Sequence, residues 1–199
     1  MGKILLAIII VASAIASLSR PWVGILSYYL LAVLGPQYIW WWNFEGLRVS
    51  FIVAVFALAG VGIKLLQRQF DFSFLTTKLN LYVLLLWLFV TVSYYFGPYV
   101  SDPSFKNFNP DALFSASNKI FLFYFCAALA LNDIKKIRYL SLILLVTTIY
   151  FIYWANNQYL SENWMQFNMG RLMGPADIFG GSIYKDENAL AILFVTGIP

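Results

Sequence analysis

Long apolar stretches separated by short polar segments dominate the chain. Two of them, 49–66 and 79–97, reach the length of about 17–20 apolar residues that a helix needs to cross the hydrocarbon core of a bilayer. The remaining apolar stretches are 4–18, 22–35, 120–131, 139–154 and 189–199. This pattern predicts an all-α, multi-spanning membrane helix bundle, with about six transmembrane or re-entrant segments and the start of a seventh.

Arg20-Pro21 separates the first two apolar stretches. Proline lacks a backbone N–H and disfavours the helical conformation of the residue before it, so a helix is expected to end here and a new one to begin. At about 1.5 Å per residue, each of the two stretches reaches only about 20 Å. Two possibilities stay open, two short crossings or one re-entrant hairpin, and both return the chain to the side on which it began.

The composition supports a membrane environment. Hydrophobic residues make up 61% of the chain and charged residues 11%, whereas soluble domains carry about 25% charged residues. The single cysteine and the absence of histidine exclude a disulfide framework, a Cys/His zinc site and histidine-based catalysis within these 199 residues. We expect no cofactor and no metal ion. We also expect no nucleic-acid partner, because the net charge of +4 is modest and scattered along the chain.

The distribution of lysine and arginine predicts the orientation in the membrane. One set of connecting segments is short and basic, and its seven cations are Arg20, Lys64, Arg68, Lys78, Lys135, Lys136 and Arg138. The opposite set is longer, with six cations and seven acidic residues. Because cytoplasmic loops carry an excess of Lys and Arg, the first set is predicted to be cytoplasmic. The N-terminus and the loops 36–48, 98–119 and 155–187 are then expected to face outward from the bacterial inner membrane.

The outer loop 155–187 holds the best candidate binding residues. Arg171 lies among glycines, and arginine is the side chain best suited to bidentate phosphate contacts. Asp186 and Asn188 precede an apolar helix, where such residues act as caps and the free N–H groups attract anions. Arg48, at the outer start of the third segment, can reach a lipid phosphate. The alternative roles are a solvated loop cation for Arg171, a simple cap for Asp186 and an interfacial anchor for Arg48.

Four short segments suggest a family. Each segment contains an arginine, a Gly-Pro pair or an acidic residue close to an asparagine. The segments are 20–26 (Arg-Pro-Trp-Val-Gly-Ile-Leu), 34–36 (Leu-Gly-Pro), 171–175 (Arg-Leu-Met-Gly-Pro) and 186–191 (Asp-Glu-Asn-Ala-Leu-Ala). Together they resemble the exosortase-associated O-glycosylation ligases of the O-antigen ligase and polymerase superfamily. Two positions depart from that family: Glu187 stands where a second asparagine is usual, and Gln37 where a histidine is usual.

The resemblance implies a GT-C-like, metal-independent membrane glycosyl transferase. Such an enzyme moves a glycan from an undecaprenyl-diphosphate carrier to a lipid or protein acceptor on the outer face of the inner membrane. It implies that Arg171 contacts the diphosphate, with Arg48 as a weaker second choice, and leaves the catalytic residues unassigned. It also implies a histidine in a later outer loop, and these 199 residues contain none. We therefore expect 1–199 to be a single transmembrane domain that is cut off inside its next helix and is inactive alone. The alternatives are a polysaccharide or lipid-linked oligosaccharide transporter component and a non-catalytic membrane scaffold.

Overall fold

The computed structural model describes residues 2–39, 49–97, 109–175, 184 and 186–197. Their structure is all-α apart from one hairpin with two-residue strands, β1 (Phe167–Asn168) and β2 (Arg171–Leu172). Single turns of 3₁₀ helix stand at Ser73–Thr76 and Trp164–Gln166. The α-helices of the described residues are α1 (Gly2–Ser19), α2 (Pro21–Leu34), α3 (Pro36–Ile39), α4 (Val49–Leu66), α5 (Lys78–Phe96), α6 (Pro110–Ala130), α7 (Ile134–Leu160) and α8 (Glu187–Thr196).

Five helices of the described chain are long and apolar enough to cross a membrane. They are Pro21–Ile39, which combines α2 and α3, then Val49–Leu66, Lys78–Phe96, Pro110–Ala130 and Ile134–Leu160. The apolar helices Ala7–Ser19, within α1, and Glu187–Thr196 are shorter. The prediction of an all-α chain is therefore confirmed for the described residues, which include several helices long and apolar enough to span a membrane.

The predicted bounds of two helices were wrong. Helix α6 begins at Pro110, although the loop was expected to run to residue 119, because Asn109 accepts a hydrogen bond from the Ala112 N–H and Pro110 suits the first helical position. Helix α7 covers 27 residues and extends beyond the apolar stretch 139–154 at both ends. At its start, the side chain of Asp133 accepts from the Lys135 N–H. Capping and backbone hydrogen bonds thus extend both helices beyond their apolar stretches into flanking polar residues.

The contacts divide the chain into two compact units, of which the first comprises Met1–Gly60 and Asp133–Pro199. In this unit α1 and α2 form an antiparallel hairpin with its bend at Arg20. Near the bend Ser17 lies against Gly24, where an added Cβ would overlap the Ser17 Cβ. At the other end Ile10 packs against the cluster around Leu31. Small residues let membrane helices approach closely, so this hairpin is held by van der Waals packing.

Helices α2 and α7 of the first unit run parallel. Near the two helix starts, the rings of Trp22 and Tyr139 stack with their centroids 6.3 Å apart. About three turns further on, Val33 of α2 packs against the buried cluster that contains Phe151 of α7. The N-terminal ends of α2 and α7, which follow Arg20 and Asp133, therefore lie at the same end of the unit. The predicted orientation puts both of these ends in the cytoplasm.

The second unit comprises Val61–Asn132 and is built on the antiparallel pair α5 and α6. Three polar contacts join the helices at steps of seven residues along α5. The Tyr124 hydroxyl donates to the Asn80 side-chain oxygen (2.8 Å), the Trp87 Nε1–H to Asn118 Oδ1 (2.7 Å) and the Tyr94 hydroxyl to Asp111 Oδ1 (2.6 Å). A seven-residue spacing brings side chains back to the same face of a helix, so these bonds set the register of the pair.

Candidate functional site

Arg171 lies on the second strand of a tight hairpin that follows helix α7. The strands pair antiparallel, with Asn168 opposite Arg171 and Phe167 opposite Leu172. The two turn residues, Met169 and Gly170, both have positive φ, 49° and 79°. This is the backbone pattern of the two-residue turns that match the twist of β-hairpins. The hairpin presents Arg171 from a short, hydrogen-bonded segment.

The strand that carries Arg171 is anchored through the residues that follow it. Leu172 points the other way and packs against the buried cluster of Phe151, Tyr184, Leu190 and Leu193. The Gly174 N–H donates to the carbonyl oxygen of Tyr184 (2.6 Å), and a Cβ at Gly174 would overlap Tyr184. Alternation along the strand therefore turns Arg171 outward when Leu172 turns inward.

Tyr184 is the centre of this anchor. Its side chain is buried, and its ring meets that of Phe151 edge-on at a centroid distance of 5.1 Å. Burial raises the pKa of the Tyr184 phenol to about 12, because the phenolate would lose its hydration. The residue therefore stays neutral and contributes packing area at physiological pH.

The start of helix α8 supplies the other side of the candidate site. The Asp186 carboxylate accepts a hydrogen bond from the Asn188 N–H (2.7 Å), which makes Asp186 the N-cap of α8. Glu187 lies in the first helical turn, with Oε1 3.5 Å from Nη1 of Arg171. The Arg171 side chain is 69% exposed and that of Glu187 23% exposed. The pair is therefore open to solvent on the arginine side.

Arg171 and the start of α8 line a cavity of about 430 Å³. The polar residues that line it are Arg171, Glu187 and Asn188, and the apolar ones are Leu172, Leu190, Ala191 and Phe194. Small-molecule sites are usually lined by apolar side chains together with a few polar groups. This arrangement suits an amphipathic ligand whose anionic group reaches the guanidinium.

The structure brings together three of the four predicted binding residues. Arg171 and Asn188 both line the cavity, and Asp186 stands beside it as a helix cap. Arg48 lies outside the described residues. The sequence reasoning missed the role of Glu187 as the partner of Arg171: the two are separated by 16 residues, and no local spacing rule connects a hairpin to a helix start.

Metal binding at the site has no obvious ligand set. In the described part of the chain, no group of three or more His, Cys, Asp or Glu side chains is placed to hold a metal ion. The carboxylate of Asp186 is occupied by the helix cap and that of Glu187 by Arg171. The charged side chains among the described residues that line the cavity are those of Arg171 and Glu187.

Comparison with protein families gives one match. A family model described as a family of unknown function, DUF5935, matches residues 1–158. The matched region ends within helix α7, and the cavity residues follow it. No curated protein and no solved structure matches the chain.

Proposed function

We propose that this chain, which belongs to the DUF5935 family of unknown function, forms part of a membrane glycosyl transferase. In this proposal a glycan moves from an undecaprenyl-diphosphate carrier to a lipid or protein acceptor on the outer face of the bacterial inner membrane. The resemblance to O-antigen ligases and polymerases supports the choice of reaction. A GT-C-like helix bundle would keep the lipid-borne carrier and the reacting groups at one membrane surface.

One observation carries the proposal: an exposed arginine borders a cavity that is also lined by apolar side chains. The carrier has the same two-part chemistry, since a diphosphate is joined to a long hydrocarbon chain. Arg171 would contact the diphosphate, while Ala191 and Phe194 would face the first isoprene units. The short hairpin and its buried anchor hold Arg171 in position before the ligand arrives, which lowers the cost of binding.

The arginine would act mainly on the transition state. As the bond between sugar and diphosphate breaks, negative charge accumulates on the leaving diphosphate. A cation already placed beside it stabilises that charge more than the charge of the ground state. Guanidinium has five N–H donors, so the single contact to Glu187 leaves donors for phosphate oxygens. No proton-transfer residue is assigned within the described chain.

Glu187 bears on the strength of this interaction. A carboxylate 3.5 Å from the guanidinium partly neutralises the charge that the diphosphate would meet. The related ligases usually carry asparagine at this position, which keeps a polar side chain without the negative charge. Glu187 therefore lowers the affinity of the proposed site for an anion and eases release of the free carrier after transfer.

The test is replacement of Arg171 by alanine in the complete protein, assayed for glycan transfer to the acceptor in membranes. We expect transfer to fall by about 10²-fold or more, the usual effect of removing one group that stabilises transition-state charge. Arg171→Lys should keep part of the activity, because it retains the charge without the bidentate geometry. Lys119→Ala, which removes an exposed cation from helix α6, is the matched control and should transfer normally. Normal transfer by Arg171→Ala at wild-type abundance would refute the assignment.

A further inference from the structure

Two aromatic rings bring the starts of helices α2 and α7 together. Trp22 lies in the first turn of α2 and Tyr139 in the second turn of α7, and their rings stack at 6.3 Å with an angle of 16° between the planes. Trp and Tyr prefer the level of the lipid headgroups, where one part of the ring is apolar and the other is wet. The stack therefore marks a membrane–water boundary at this end of the first unit.

Four cations lie close in sequence to the two stacked residues, and we refer to them as the basic patch: Arg20, Lys135, Lys136 and Arg138. Arg20 is two residues before Trp22. Lys135 is four residues before Tyr139, so both lie on the same face of α7. Arg20, Lys135 and Arg138 are exposed.

The cations of the basic patch are unfavourable for the helix that carries most of them. The N-terminal end of a helix has a partial positive charge, so lysine and arginine in the first turn are repelled by it. Helix α7 has no acidic residue in its first turn. The neighbouring Asp133 carboxylate already accepts from the Lys135 N–H as the cap. A bound anion would offset both the helix dipole and the repulsion among the cations.

We propose that the basic patch binds the headgroup of an anionic phospholipid. The lipid phosphate would lie among Arg20, Lys135 and Arg138, and the Trp22–Tyr139 stack would pack against the glycerol and upper acyl region. A phospholipid fits better than a free anion because the cations stand at the end of membrane-length helices, beside rings that favour the headgroup layer. This proposal does not depend on glycosyl transfer.

The experiment measures lipid binding to the complete protein in a neutral detergent. In detergent there is no membrane orientation to change, so the loss of a cation acts only through binding or stability. Thermal unfolding is followed with added phosphatidylglycerol, with phosphatidylcholine and with inorganic phosphate, and native mass spectrometry reports the retained lipid. We expect phosphatidylglycerol alone to raise the Tm and to be retained. In the variant Arg20→Gln/Lys135→Gln/Arg138→Gln the apparent affinity for phosphatidylglycerol should fall by at least about tenfold.

A matched control removes the same charge elsewhere. The variant Lys64→Gln/Arg68→Gln/Lys78→Gln removes three cations from the second unit, at the end of α4, the start of α5 and the segment between them, a region that is also predicted to be cytoplasmic. We expect less than a twofold loss of affinity. Equal losses in the two triple variants, or equal stabilisation by inorganic phosphate, would overturn the proposal. If the first triple variant is unfolded in phosphatidylcholine, the single variant Arg138→Gln should still lose several-fold affinity, and unchanged binding there would overturn the proposal as well.

Discussion

Replacement of Gly60 by alanine should destabilise the packing of helix α4 against α1. A Cβ at Gly60 would overlap the backbone carbonyl oxygen of Ser17 and would lie 3.3 Å from the Cα of Leu18. The obstructing atoms belong to the backbone of a helix, so no side-chain rotation relieves the overlap and the two helices must separate. Overpacking of this kind costs about 1–3 kcal/mol of unfolding free energy.

Gly62, two residues further along the same helix, provides the control. Apart from its chain neighbours and the backbone of its own helix, no atom of the described residues lies within 4 Å of a Cβ added there. Both Gly60→Ala and Gly62→Ala gain helix propensity, by up to about 1 kcal/mol. The difference between the two variants therefore isolates the steric cost, and Gly62→Ala should be at least as stable as the wild type.

The assay is reversible unfolding in detergent micelles, with the helix content followed by circular dichroism. We expect the unfolding free energy of Gly60→Ala to lie about 1–3 kcal/mol below that of Gly62→Ala. If the two variants agree within about 0.5 kcal/mol, helices α1 and α4 are not in backbone contact at Ser17 and the argument is refuted.

Three further predictions concern polar contacts and the hairpin. Glu187→Gln removes the carboxylate beside Arg171 and should strengthen the binding of inorganic pyrophosphate several-fold in isothermal titration calorimetry. The free energy of unfolding should change by less than about 1 kcal/mol, because the Arg171 side chain is mostly exposed. Weaker pyrophosphate binding would mean that Glu187 instead holds the arginine in place. Trp87→Phe removes the indole donor to Asn118 and should cost about 0.6–2 kcal/mol of unfolding free energy; an unchanged value would show that the bond adds nothing. Met169→Gly should slow proteolysis of the hairpin, because glycine adopts the positive φ of 49° without steric cost, and faster cleavage would contradict this.

The helical core of the protein could be predicted well from apolar length. The stretches 49–66 and 79–97 correspond almost residue for residue to α4 and α5, because a run of apolar residues long enough to span lipid has to satisfy its backbone hydrogen bonds internally. The boundaries of α6 and α7 could not be read in the same way. Average hydropathy falls at residues such as Asn156, but its side chain bonds back to the Ile152 carbonyl and the helix continues.

The candidate site could be predicted in part. Arg171 and Asn188 attracted attention through local composition, and the structure places both on one cavity. The hairpin was missed because Met169-Gly170 lacks the asparagine-glycine or aspartate-glycine pair that usually announces such a turn. Glu187 attracted attention only as a departure from the ligases that the sequence resembles, and its contact with Arg171 depends on how α7 and α8 pack.

The sequence by itself determined the apolar, helical character of the chain, the approximate positions of its helices and the breaks between them, because hydropathy, proline and capping residues act locally. Only the tertiary structure decided that α2 and α7 run parallel, and that hydrogen bonds such as Trp87 to Asn118 join α5 and α6. It alone paired Arg171 with Glu187. These relations depend on distances between residues far apart in the chain, which follow from the packing of whole helices and have no signature in any short stretch.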